Sequence, residues 1–161
     1  MKISSRIFSI YDGIVSKVTW AMISYDRVEK TVDADRKHSP LESAIEYYWH
    51  TAGSNFNRAS TLMSHLSIMT AVSIFAFSEA TSTLGRLLFG LDVALYIFLV
   101  LYTARTLKSL NVEKDYSEIQ SYEHELRTEV LVKHGVAQVS LALTILATFV
   151  LFVLSVFNFV I

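Results

Sequence analysis

The chain has 161 residues, 14 Lys+Arg against 15 Asp+Glu, one Pro and no Cys, a length that allows one domain. A net charge of −1 argues against nucleic-acid binding, and the missing Cys excludes disulfide frameworks, thiolate nucleophiles and Cys-ligated metal. The charges are segregated: 15 fall in residues 1–58, three in 59–104, 11 in 105–133 and none in 134–161. A soluble domain gives each element a solvated face, so this distribution excludes one and describes segments that avoid water.

Residues 1–38 form the first unit, an amphipathic helix followed by a polar linker. Over the first 30 residues Ile3, Ile7, Ile10, Tyr11, Ile14, Val18, Met22 and Tyr25 recur at three- and four-residue steps, with Arg6, Ser9, Ser16 and Arg27 opposite or flanking. Such a stripe rests on a headgroup layer or on another helix. Lys2 and Arg6 are followed by Asp12, Gly13 and Lys17, which break the apolar run of a cleaved signal, so entry into a membrane is expected to rely on internal spans. Thr31 to Pro40 reads as a polar break.

The second unit, 39–161, is a membrane domain. Ser39 as N-cap, Pro40 at the first helical position and Glu42 at capping-box spacing predict a helix start. Leu41, Ile45, Tyr48, Ala52, Phe56 and Ala59 carry the stripe into a first span at about 59–79, so one long helix enters the bilayer, with Tyr47, Tyr48 and Trp49 at the boundary. A second span covers 87–104 between Arg86 and Arg105, interrupted only by Asp92. Residues 105–134 predict an amphipathic helix outside the membrane, with Tyr122, Leu126 and Val130 on its apolar side. The pairs Glu123/Arg127 and Glu129/Lys133 make a solvated face, and Gly135 makes a break. The third span, about 137–161, is uncharged; Val139 to Ile161 alone rises about 34 Å as a helix, enough to cross a core of roughly 30 Å.

Orientation follows from Lys and Arg. Eight precede the first span, five lie between the second and third, and only Arg86 occupies the short turn between the first two. Three spans place 13 on one side against one on the other, so the N-terminus is expected in the cytoplasm and the C-terminus outside. The fold class is an all-α integral membrane protein: three transmembrane helices, an N-terminal amphipathic helix and cytoplasmic helical extensions.

Three polar residues inside the spans are the candidates for a pore or an intramembrane site: Asp92, roughly 9 Å below the edge of its span, His65 in the first span and Asn158 in the third. Each also has a packing reading, as a group hydrogen-bonded within the bundle. Small residues on the first span, Ser60, Ser64, Ser67 and Ala71, recur at steps that let helices approach closely. No catalytic, cofactor or metal constellation is present in the sequence: the five His show no four-residue pairing, and there is no phosphate loop or nucleophile elbow.

The stretch Tyr47 to Phe75, through Tyr48, Thr51, Ala52, Phe56, Asn57 and Ala59, resembles the membrane-entering helix of the SLATT proteins. A second part of the likeness is the short turn to another span and the charged helix carrying Tyr116, Ile119, Tyr122, Glu123 and Leu126. It covers about residues 45–130. The family has two spans where this chain has a third, and the N-terminal helix has no counterpart in it. The resemblance implies a bacterial inner-membrane effector tied to antiviral defence or nucleotide signalling, one that assembles into a pore or otherwise perturbs the membrane. The expected partners are the lipid bilayer, further copies of the chain and a cytoplasmic protein, with Tyr116, Ile119, Tyr122 and Leu126 as candidate interface. The alternative is a non-catalytic accessory or structural subunit of a larger membrane complex.

Overall fold

The structure is a computed structural model that describes residues 2–41, 43–108 and 119–160, with side chains over 9–41, 43–108 and 121–156. Its described elements are five helices: α1 (Lys2–Met22), α2 (Tyr25–Lys37), α3 (Ala44–Glu79), α4 (Thr83–Leu107) and α5 (Ile119–Val160). No strand occurs among the described residues. Three of these helices, α3, α4 and α5, are long and apolar enough to cross a membrane. They form one bundle in which α3 runs toward the α3–α4 turn, α4 returns, and α5 runs the same way as α3. Helices α1 and α2 lie at the other end, as a cap.

The turn is built by Ser82, whose hydroxyl accepts from the Gly85 N–H at 2.9 Å and caps α4. Arg86 reaches back and donates to the Ala80 carbonyl at 2.9 Å. Between the spans, Leu66, Phe89, Tyr96, Leu99, Ala147 and Leu151 make one buried cluster. A second cluster, in the cap, joins Val28 and Val32 of α2 to Tyr47, Tyr48 and Ala52 of α3 and Leu126, Val130 and Leu131 of α5. A third holds Val15 of α1 against Tyr102, Val136 and Val139.

Four boundaries differ from the sequence reading. The N-terminal helix ends at Met22, and Ser24, with extended backbone, starts α2, which runs through most of the expected polar break to Lys37. Only Val28 and Val32 supply its apolar face, and Asp26 at its start with Arg36 and Lys37 at its end suit the helix dipole. Ser39 does not cap a helix; its hydroxyl accepts from the Leu41 N–H at 3.2 Å in a local turn, and α3 begins after Ser43. Glu42 lies outside the described residues. The expected helix 105–134 and third span are not separate elements: from Ile119 onward α5 is continuous through Gly135, where no break occurs. A Cβ there would lie 2.9 Å from Thr19 Cγ2 and 3.2 Å from Trp20 Cζ3, so Gly135 admits the close approach of α1 instead of ending a helix.

The buried face of α1 is rotated from the expected stripe. Val15 and Thr19 are buried, whereas Ile10, Ile14 and Met22 are 64 %, 55 % and 53 % exposed. One side of α1, with Tyr11 and Val18 of the stripe beside Val15 and Thr19, therefore packs on α4 and α5 while Ile10, Ile14 and Met22 point away from the molecule.

Candidate functional site

The junction of cap and bundle is an ion-pair cluster. Arg105, 6 % exposed at the end of α4, is held bidentately by Glu129 of α5 at 2.7 and 2.8 Å. Its Nε lies 2.9 Å from Asp12 Oδ1 of α1, an ion pair by distance without the alignment of a hydrogen bond. Lys108 reaches the other Asp12 oxygen at 2.6 Å, and buried Lys133 donates to the Lys108 carbonyl, also at 2.6 Å. This cluster fastens α1, α4 and α5 together at one point. Beside it the Tyr11 phenol donates to the Leu101 carbonyl, and Thr19 and Tyr102 hydroxyls share a bond of 2.7 Å. Burial pushes the Tyr11 phenol above its ordinary pKa, against the opposing pull of Arg105.

A second ionic contact closes the cap. Arg127 of α5 donates to Glu29 at 2.8 Å and to Asp33 at 2.9 Å, both on α2. The charged residues of α5 thus do not make the purely solvated face that their spacing predicts: Arg127 and Glu129 find partners on other helices. Of the candidate interface residues, Leu126 is buried in the cap core, and the Tyr122 hydroxyl accepts from Trp49 Nε1 at 2.9 Å. Both are turned toward α2 or α3 of this same chain. Tyr116 lies outside the described residues, as does the side chain of Ile119.

Within the spans, Asp92 is buried and accepts from Ser73 Oγ of α3 at 2.7 Å; its other oxygen has no hydrogen-bond partner among the described residues. His65 Nε2 lies 3.3 Å from Thr148 Oγ1, to which the Tyr96 hydroxyl donates at 3.3 Å. Asp92 and His65 are not bonded to one another; Tyr96, one turn from Asp92 on α4, lies between them and meets the same Thr148 hydroxyl as His65. The backbone of Asn158 falls in α5; its side chain lies outside the described ones. Among the described residues no cluster of three or more His, Asp or Glu suits a metal ion.

Sequence reasoning missed a groove of about 1120 Å3 between α3 and α5, also lined by Thr103 of α4. Asn55, Arg58, His134 and Gln138 line its cap end, His65 and Thr148 its deeper part, and Leu141, Ile145, Phe149 and Phe152 its α5 wall. No sequence signal marks such a groove, because its residues come from separate helices and none repeats a known motif.

These contacts define an all-α protein with three apolar helices of membrane-spanning length, fastened at one end by ionic contacts to a two-helix cap. Comparison with protein-family models, with curated proteins and with solved structures finds no match for the chain.

Proposed function

We propose that the chain is a multi-pass membrane protein that self-assembles through α3 and perturbs the membrane, as an effector or channel-like component of a bacterial defence or signalling system. Its cap and N-terminus lie in the cytoplasm and its C-terminus outside, with the inner membrane as its site. The observation that carries the assembly is a seam on α3. Asn57, Ser60, Ser64, Ser67, Ala71 and Ile74 follow at alternating three- and four-residue steps, and every one is exposed. A lipid-facing surface needs bulk apolar side chains, whereas small and hydroxylated ones favour close helix–helix approach. Only 11 % of the apolar stretch of α3 is buried, against 33 % in α4 and 28 % in α5, so this helix keeps the most surface for a neighbour. In such an assembly the seam converges on the axis, and Asp92, paired with Ser73 inside one protomer, packs the bundle without lining the path.

The chain has no Cys, so single-cysteine variants are read without background. Ser64→Cys in native membranes is expected to crosslink between chains under mild oxidation, while Leu101→Cys, exposed on α4, is not. Expression of the wild type is expected to depolarise the membrane and Ser64→Leu to abolish this. A strict monomer at high expression with an intact potential overturns the assembly and leaves the accessory-subunit reading.

A further inference from the structure

The groove between α3 and α5 changes character along its length. On α5 the residues Leu141, Ile145, Phe149 and Phe152 line it at helical spacing and give it an apolar wall. From Gln138 to Phe149 the helix rises about 16 Å, half the roughly 30 Å hydrocarbon core and so the reach of a chain in one leaflet. At the cap end the lining becomes polar, with Asn55, Arg58, Thr103, His134 and Gln138. Arg58 is exposed and forms no ion pair among the described residues, and no acid lines the groove. Three of its neighbours there are more than nine-tenths buried, yet Asn55 Nδ2, Thr103 Oγ1 and His134 Nδ1 have no hydrogen-bond partner among the described residues, and Thr144 Oγ1 farther along the α5 wall is a fourth such atom. Buried polar atoms of this kind ordinarily find a partner. An unpaired cation and a cluster of polar side chains at one end of a mostly apolar trough match an anionic head on a hydrocarbon chain.

We propose that this groove binds one anionic phospholipid from the leaflet on the cap side, its phosphate at Arg58 and one acyl chain along the α5 wall. The charge decides between lipids. A zwitterionic head brings an ammonium for which the groove offers no carboxylate, whereas an anionic glycerol phosphate leaves its charge to the guanidinium. A soluble phosphate would leave the trough unfilled. The site stands whether or not the chain assembles through α3.

Native mass spectrometry of the full chain released from micelles tests this, with dioleoyl phosphatidylglycerol and dioleoyl phosphatidylcholine as probes. One phosphatidylglycerol per chain is expected, retained about tenfold better than phosphatidylcholine, the effect of one charge-assisted hydrogen bond. Arg58→Gln is expected to erase that preference and Arg58→Lys to keep most of it, while Leu141→Trp, at an exposed groove position, lowers retention of both lipids. Unchanged circular-dichroism melting shows that the variants fold; should Arg58→Gln fail to, the wild-type lipid pair and Leu141→Trp decide. Equal retention of the two lipids by the wild type overturns the proposal, as does an Arg58→Gln variant with unchanged selectivity. Displacement of the lipid by glycerol phosphate alone makes the site one for a soluble anion, and crosslinking between Leu141→Cys chains makes it a seat for a second copy. Either result overturns the proposal.

Discussion

Arg105 and Arg127 are both arginines facing two carboxylates, and their surroundings set them apart. The Arg105 side chain is 7 % exposed and that of Arg127 29 %, so the first has given up most of its water and depends on its partners. Arg105→Met leaves Glu129 and Asp12 without their shared cation, and we expect a loss of about 3 kcal/mol, near the lower end for removing one partner of a buried pair because both acids keep some water contact. Arg127→Met is expected to cost about 1 kcal/mol or less, as solvent-accessible pairs do. Chemical denaturation in micelles followed by circular dichroism ranks the two; equal losses would mean that the junction is not the fastening point. The same measurement reads Asp92. Asp92→Asn keeps an acceptor for Ser73 and removes a charge from an apolar bundle, so its stability should equal or exceed that of the wild type. Ser73→Ala strands the carboxylate and is expected to cost about 1–3 kcal/mol. Tyr11 gives a pH signature. Because burial raises its folded pKa, the phenol ionises first in the unfolded chain, so its contribution is complete below the ordinary value of 10.0 and is lost as pH rises through the folded value. The stability gap between wild type and Tyr11→Phe should hold from pH 8 to about pH 10 and narrow above it.

Glycines separate local propensity from tertiary packing at the scale of the helix. Gly53 in α3 has nothing within 4 Å of an added Cβ, whereas Gly135 in α5 has Thr19 and Trp20 within 3.3 Å. Gly53→Ala is therefore expected to gain up to about 1 kcal/mol from helix propensity. Gly135→Ala has the same local gain but pushes α1 from its seat, and melting in micelles should show it destabilised, with Trp20 fluorescence shifted as its ring leaves α5. A Gly135→Ala chain as stable as the wild type would show that α1 is held by the ionic junction alone. The same pair of residues shows what the sequence could convey. Hydropathy marks α3, α4 and α5 because a span needs many consecutive apolar residues, a signal that one position cannot hide. The glycine at 135 carries opposite meanings, a stop or a close approach, and only the neighbour at Thr19 decides between them. Spacing likewise pairs Glu129 with Lys133 on one helix, although Arg105 from another helix outcompetes it. For α1, periodicity finds an apolar stripe but cannot tell that Val15 and Thr19, off that stripe, are the residues buried deepest, with only Tyr11 and Val18 of the stripe packed beside them. The groove was illegible for a related reason: Arg58 and Phe149 lie far apart in sequence, and each alone is an ordinary residue of its helix.

Over the whole molecule the ordering of α3, α4 and α5 makes the charge distribution a statement about sides. The cap, the start of α3, the end of α4 and the start of α5 share one end, and the Ala80–Ser82 turn and the end of α5 lie at the other. Of the 13 Lys and Arg among the described residues, 12 belong to the first end and only Arg86 to the second, an imbalance that supports the proposed cytoplasmic side for the basic end. The pairing within the cap strengthens this, since Arg105 and Lys108 are fixed to Asp12 of α1 and Arg127 to α2, so the cap cannot distribute itself across two sides without breaking the junction. A cysteine-free chain makes the orientation directly measurable. Ser82→Cys, in the turn, should react with a membrane-impermeant maleimide on intact spheroplasts. Asp35→Cys, exposed on α2, should react only after lysis. Lysine substitutions at Ser78 and Thr81 together with Arg105→Gln and Lys108→Gln would oppose the bias while also loosening the junction. That combined variant should show both sites labelled in part, as a mixed population, if charge and cap act together. Labelling of Ser82→Cys only after lysis would reverse the topology, and with it the assignment of the Arg58 end of the groove to the inner leaflet.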